Sequence, residues 1–293
     1  MDRRAYFDAY APAQIAERVH NVGVTKARLP FLQTAMLGLL AGGFIGLGSL
    51  YYTIVVSDPT LSFAAARVLG GLVFSLGLVL VVVAGAELFT GNNLIAMAWA
   101  DGKVSTAEVM RNWAIVCAAN FVGAVGLALI VFLSGHTEMN GGAVGKTYLQ
   151  IAAMKSSLSP LSAFFKGVLC NILVCMAVWM TLAGHSVTDK VLAILFPISA
   201  FVAAGFEHSI ANMYFIPLGM MLKYAADVAP PGTDAIGFAG LFGNLIPVIL
   251  GNIVGGSVLV ALVYYVIYRR GAAPVPAVQP APPPGGATPA RPA

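Results

Sequence analysis

Ala84-Gly85-Ala86-Glu87-Leu88-Phe89-Thr90-Gly91-Asn92 and Ala204-Gly205-Phe206-Glu207-His208-Ser209-Ile210-Ala211-Asn212 share Ala-Gly-x-Glu-x-x-x-x-Asn in a single register, displaced by 120 positions. Four matches in register mark an internal repeat. A second echo supports it: Asn120-x-Val122-Gly123-x-x-x-Leu127-x-x-x-Val131 returns as Asn252-x-Val254-Gly255-x-x-x-Leu259-x-x-x-Val263. Both pairs lie in strongly apolar surroundings. Of the 293 residues, 59% are apolar and 10% charged, against roughly 25% charged in an ordinary soluble domain. Apolar runs near 31–55, 64–100, 110–134, 160–183, 189–223 and 238–268 each reach the roughly 20 residues that a helix needs to cross hydrocarbon. The unbroken run from Leu78 to Ala84 does not alternate as a membrane β-strand would. The fold class predicted is an all-α integral membrane protein with six transmembrane helices. The repeats pair the second span with the fifth and the third with the sixth. The unit is therefore three spans, and an odd number inverts the second half in the membrane, with the pathway at the interface between halves.

The motif residues interrupt the second and fifth spans. In the fifth, the apolar runs Val191 to Ala204 and Ile210 to Leu222 flank the motif, and neither is long enough to cross alone. Irregular backbone at membrane depth is tolerated only where protein buries it or a cavity is lined by it. Half-helices restarting after the breaks aim positive N-terminal ends at the midplane, which favours an anion. Glu87, Glu207 and His208 are the ionisable residues well inside a span, where charge is costly and points to function. The two glutamates are expected to be structural, capping N–H groups of the restarting helices. His208 is expected to be functional and neutral at rest, with the Thr90 hydroxyl placed to hydrogen-bond it.

Topology follows from the basic residues. With both termini inside, eleven of the sixteen Lys and Arg fall on the cytoplasmic side, the bias expected of an even number of crossings. The pI of 9.0 is then a by-product of topology, and no basic stripe with interleaved aromatics points to nucleic acid. No cleavable signal precedes the first span, so that span itself targets the chain. Residues 1–30 form a cytoplasmic segment in which 12–28 place Ile15, Val19 and Val22 on one face beside Glu17 and Arg18. That fits a helix along the inner membrane surface, and equally a solvated one. Residues 31–268 are expected to form the six-helix transmembrane domain. The tail from 269 to 293, rich in Pro, Ala and Gly beyond Arg270, cannot build a core and is expected to be disordered and cytoplasmic. Cys117, Cys170 and Cys175 lie in apolar spans without metal-ligand spacing and are read as packing residues. No cofactor, no metal site and no nucleophile with its base are indicated, so an enzyme is not expected.

The stretches Glu87-Leu88-Phe89-Thr90-Gly91-Asn92 and Gly205-Phe206-Glu207-His208-Ser209-Ile210-Ala211-Asn212 resemble the two signature loops of the formate/nitrite transporter family. Cys170-Asn171-Ile172-Leu173-Val174-Cys175-Met176-Ala177-Val178-Trp179 resembles its fourth-span signature. The likeness runs from about residue 30 to 268. It implies an aquaporin-like protomer with an Ω-shaped second-span break, an S-shaped fifth-span break, and a homopentamer in which each protomer has its own pore. It also implies a cytoplasmic constriction of Leu88, Phe89 and Val174 and a periplasmic one of Phe74, Leu78 and Phe201. Thr90 and His208 would lie between them, with Asn171 on the path near His208 and Lys155 at the periplasmic vestibule as an anion attractor. Glu87, Asn92, Glu207 and Asn212 would structure the loops.

The resemblance implies passive or proton-linked transport of small monovalent weak-acid anions across a bacterial-type inner membrane, with membrane lipid and protons as partners. Formate is the first expectation. Nitrite, hydrosulfide and short carboxylates such as acetate or lactate are the alternatives. A neutral-solute channel of the aquaporin type shares the plan but carries Asn-Pro-Ala at both breaks, where this chain has Gly91-Asn92-Asn93 and Ala211-Asn212-Met213.

Overall fold

The computed structural model describes residues 9–226 and 231–271, and every regular element among them is helical. The first eight residues and the tail from 272 onward, with its expected disorder, lie outside the described residues. Among those described, six helices are long and apolar enough to cross a membrane: Phe31–Val56, Phe63–Gly85, Thr106–Leu133, Pro160–Thr181, Val187–Ala204 and Phe238–Tyr268. They follow the predicted apolar runs to within a few residues, except that the second and fifth stop at the motifs. Their outward faces are apolar: Leu133, Phe196 and Leu161 are 72%, 75% and 70% exposed. Water would oppose such a surface, whereas hydrocarbon matches it.

The chain folds this way for local reasons. Ser105 accepts from the Glu108 N–H while Glu108 accepts from the Ser105 N–H, and Ser186 with Asp189 does the same, so capping boxes start the third and fifth spans. The repeated glycines bring backbones together. A side chain on Gly123 would strike the Leu39 carbonyl, and one on Gly255 would strike the Val168 carbonyl. The first span thus packs on the third as the fourth packs on the sixth, by the close approach that small residues allow between helices in lipid. At the breaks, Gly85 and Gly205 take φ of +86° and +73°, a left-handed geometry that a side chain would disfavour. The chain runs extended through 86–88 and coils again at Phe89–Asn92, Asn93–Ile95 and Ala96–Ala100; after Gly205 it resumes at Ser209–Ala225.

Three features go beyond the sequence reading. The helix Pro12–Ala27 neither lies in lipid nor stands free in water. Its stripe of Ile15, Ala16 and Val19 is buried against Leu94, Met97 and Trp179, and Gly23 lets it approach Ile95 and Ala98 closely. Asp101 holds this helix from outside, 3.0 Å from the His20 ring and 2.9 Å from Arg269 at the end of the sixth span. A second helix, Ala143–Ser156, is about 21 Å long and too short to cross. It lies beside Ser209–Ala225, joined by the Tyr148 and Tyr214 hydroxyls at 2.9 Å. Finally, the sixth span is π-helical over Val254–Leu262, where Gly256 lies against Asn171 and Cys175, and the Ser257 hydroxyl donates to the Asn93 carbonyl.

Candidate functional site

Unwinding a helix in hydrocarbon frees backbone groups that must find partners within the protein. At the first break the Phe89 N–H donates to Asn120 Oδ1 at 2.9 Å, while Asn120 Nδ2 donates to the Glu87 and Gly38 carbonyls at 2.9 and 2.7 Å. At the second, the Ser209 N–H donates to Asn252 Oδ1 at 3.0 Å, while Asn252 Nδ2 donates to the Glu207 and Gly167 carbonyls at 3.1 and 2.8 Å. One amide clamp appears twice. These are the asparagines of the second sequence echo, to which sequence reasoning gave no role.

The glutamates therefore do not cap the restarting helices, which corrects the sequence expectation. Each break leaves both donors and acceptors exposed, and an amide satisfies both kinds where a carboxylate can only accept. Glu87 instead takes the Lys26 ammonium at 2.6 Å and Asn92 Nδ2 at 2.6 Å, and Asn92 leans on Asn112 at 3.0 Å. Glu207 takes the Lys155 ammonium at 3.0 and 3.1 Å and Asn212 Nδ2 at 2.6 Å, and Asn212 leans on Asn244 at 2.7 Å. Asn112 and Asn244 close the two circuits on the Lys26 and Lys155 carbonyls, each at 3.0 Å. Lys26 and Lys155 are 129 positions apart, as are Gly38 and Gly167, so an alignment of the first and fourth spans would have exposed the lysine pair.

Departures from this symmetry identify the unusual residues. Leu88 and His208 occupy the same position, immediately before the restarting helix. His208 Nδ1 accepts the Ala211 N–H at 3.2 Å, and Nε2 lies 3.0 Å from Thr90 Oγ1 of the other break. A nitrogen that accepts from a backbone N–H carries no proton, so the neutral ring is protonated on Nε2 and donates to Thr90. Phe201 stacks on this ring with centroids 5.9 Å apart, and Phe74 meets Phe201 edge-on at 5.7 Å. Asn171, fully buried, donates through Nδ2 to the Thr90 carbonyl at 3.2 Å, Asn93 Oδ1 at 2.7 Å and the Asn252 carbonyl at 2.7 Å, and so ties both halves together.

Two cavities approach this centre. One, of 370 Å³, opens on the face that carries the N-terminal helix; Val19, Gly23, Lys26, Leu78, Glu87 and Leu88 contribute to its wall. The other, of 320 Å³, lies toward the far face; Phe74, Lys155, Phe201, Glu207 and His208 contribute to its wall. Phe74 faces one cavity and Leu78 the other, and they are four residues apart on a single span. The stretch of this span between Phe74 and Leu78 therefore separates the two cavities. Thr90 lies in the partition between them with none of its surface exposed.

The residues of the implied constrictions are distributed around these two cavities. Leu78 lines the cavity of Leu88 rather than that of Phe74 and Phe201, because it is one turn nearer the first break. Phe89 and Val174 are buried and line neither cavity; Phe89 is turned edge-on to Trp113 at 6.4 Å, since its backbone is held by Asn120. Lys155 does reach the far cavity, but it is only 8% exposed and its ammonium is bound by Glu207. Asn171 lies near the path without lining either cavity.

The profile described as Formate/nitrite transporter matches residues 13–266. The formate channel FocA of Escherichia coli K12 is 40% identical over 276 residues, covering 90% of this chain and 96% of that protein. A probable formate transporter of Methanothermobacter thermautotrophicus is 35% identical, covering 89% of this chain and 97% of that one. A solved pentameric formate channel with formate bound superposes with a TM-score of 0.75 at 40% identity, over 81% of this chain and 97% of that one. An FNT family ion channel superposes with a TM-score of 0.77 at 29% identity, over 87% and 98%. With two broken spans meeting at one histidine and a match over nearly its whole described length, this multi-pass membrane protein belongs to the formate/nitrite transporter family.

Proposed function

We propose that this chain transports formate passively, as a homopentamer in a bacterial-type inner membrane, with no enzymatic step, and that the acid crosses the partition in its neutral form. The face with the N-terminal helix is assigned to the cytoplasm, because most Lys and Arg fall on that side. Formate is favoured because relatives at 33–40% identity carry formate in their names. The pentamer is inferred from the solved relative, which is a pentameric formate channel.

One observation carries the mechanism: the two cavities do not join, and the wall between them holds the fully buried Thr90, hydrogen-bonded to His208 beneath the Phe201 ring. A carboxylate entering such a wall loses hydration worth at least several kcal/mol and on the order of 20 kcal/mol in the Born limit. Protonating an acid of pKa about 4 at about pH 7 costs roughly 4 kcal/mol. The neutral acid wins. In this account the anion enters a cavity, takes a proton from water there, crosses, and releases the proton beyond.

His208 acts as a hydrogen-bond donor in this scheme. With Nδ1 occupied by the Ala211 N–H, giving up the Nε2 proton would leave an imidazolate. The group that supplies a proton is water, and Nε2–H orients the passing oxygen in place of Thr90. The experiment is uptake of formate, nitrite, hydrosulfide, lactate and urea into proteoliposomes across pH. Formate uptake that rises as pH falls supports the reading. Urea flux without anion flux would contradict it, and preferential nitrite uptake would replace the substrate while keeping the mechanism.

A further inference from the structure

The two cavities match in their Lys–Glu–Asn–Asn circuits but not in charge. On the N-terminal side the charged residues of the wall are Lys26 and Glu87, which neutralise each other at 2.6 Å. The far wall carries Arg67, Lys155 and Lys166 against the single carboxylate of Glu207, which Lys155 already holds. Arg67 and Lys166 thus form no ion pair among the described residues.

Arg67 is held in place. Its Nε and Nη2 donate to the Ala203 and Val202 carbonyls at 2.8 and 3.0 Å, and Nη1 approaches the Tyr52 hydroxyl at 3.4 Å. Gly205 makes this possible, because a side chain there would collide with the guanidinium. Those carbonyls end the helix Val187–Ala204 and carry about half a negative charge between them, too little to neutralise the cation. Three of five N–H donors are used, which leaves two for a ligand. Lys166 is fixed through its backbone, whose carbonyl accepts the Glu207 N–H at 3.2 Å, while its ammonium has no carboxylate partner among the described residues. Two uncompensated cations facing one low-dielectric cavity concentrate anions there.

We propose that Arg67 and Lys166 make the far cavity a holding site for the substrate anion before it is protonated, and that the cavity on the N-terminal side has no equivalent. The proposal rests on the transport reading above and adds an asymmetry to it. With the partition limiting, half-saturation measured from each face reports that face's own cavity. Passive transport requires the ratio of maximum rate to half-saturating concentration to be equal from both faces. A tighter far cavity therefore saturates earlier and also turns over more slowly.

The test is formate uptake into orientation-sorted proteoliposomes, for the native protein, Arg67→Gln, Lys166→Gln and the double variant, with Lys166→Arg as the charge-preserving control. Arg67→Gln retains amide N–H groups for the carbonyls. The native protein is expected to half-saturate at about tenfold lower formate from the far face, a difference that shrinks as ionic strength rises. Each glutamine is expected to raise both the half-saturating concentration and the maximum rate from the far face about threefold, with values from the N-terminal face unchanged and Lys166→Arg native-like. A merely structural role for Arg67 would lower rates from both faces. That result, or unchanged far-face half-saturation in the double variant, overturns the proposal while formate transport stands. Absence of formate uptake by the native protein overturns the transport reading itself.

Discussion

At the scale of the residue, His208 and the two buried ion pairs have distinct roles. His208→Asn keeps an acceptor for the Ala211 N–H and removes the Nε2 donor. Formate uptake is expected to fall about tenfold, the value of one hydrogen bond to a charged or partly charged group. Its rise with falling pH should persist, because the substrate and not the ring takes up the proton; a flat pH profile in this variant would return the proton to His208. Lys26→Met leaves Glu87 buried and unpaired, and is expected to cost about 3–5 kcal/mol. Thermal unfolding in detergent reads this as a large drop in melting temperature, largely restored by adding Glu87→Gln. The glutamates stood out in the sequence as charges inside a span, but their partners did not. A lysine 61 positions before Glu87 in sequence becomes its neighbour only when the N-terminal helix folds underneath the channel.

At the scale of the element, the breaks were legible and the docked helices were not. A polar motif inside an apolar run announces a break, because hydrocarbon leaves no other way to accommodate it. Helix Pro12–Ala27 announced only an amphipathic stripe, which water, lipid or protein could have covered. Helix Ala143–Ser156 carried a readable stripe in Tyr148, Ile151, Ala152 and Lys155, all buried, but a connection between spans gives no span-length apolar signal. The geometry of the second break rests on Gly205. Gly205→Ala forces a side chain into the left-handed region, at about 1–2 kcal/mol, and into the Arg67 guanidinium. It is expected to lower the melting temperature, whereas Gly126→Ala, which meets nothing within 4 Å in mid-helix, is expected to be neutral or stabilising. Equal effects of the two would contradict the account of the break.

At the scale of the whole molecule, two breaks clamped by equivalent asparagines stand between two separate cavities. The echoes at 120 positions and between Asn120 and Asn252 contained the paired breaks and the residues that clamp them. The charge difference between the cavities was not legible, because Arg67 and Lys166 lie outside both motifs and gain meaning only from what they face. Native mass spectrometry of the purified protein is expected to give five copies of the chain, and a monomer would contradict the proposed assembly. The central claim, that the acid crosses the partition uncharged, is tested most directly by following lumenal pH during formate uptake into proteoliposomes at clamped membrane potential. The lumen is expected to acidify in step with uptake, at a rate indifferent to the potential. Uptake without acidification, at a rate that follows the potential, would mean that the bare anion crosses and would contradict the account.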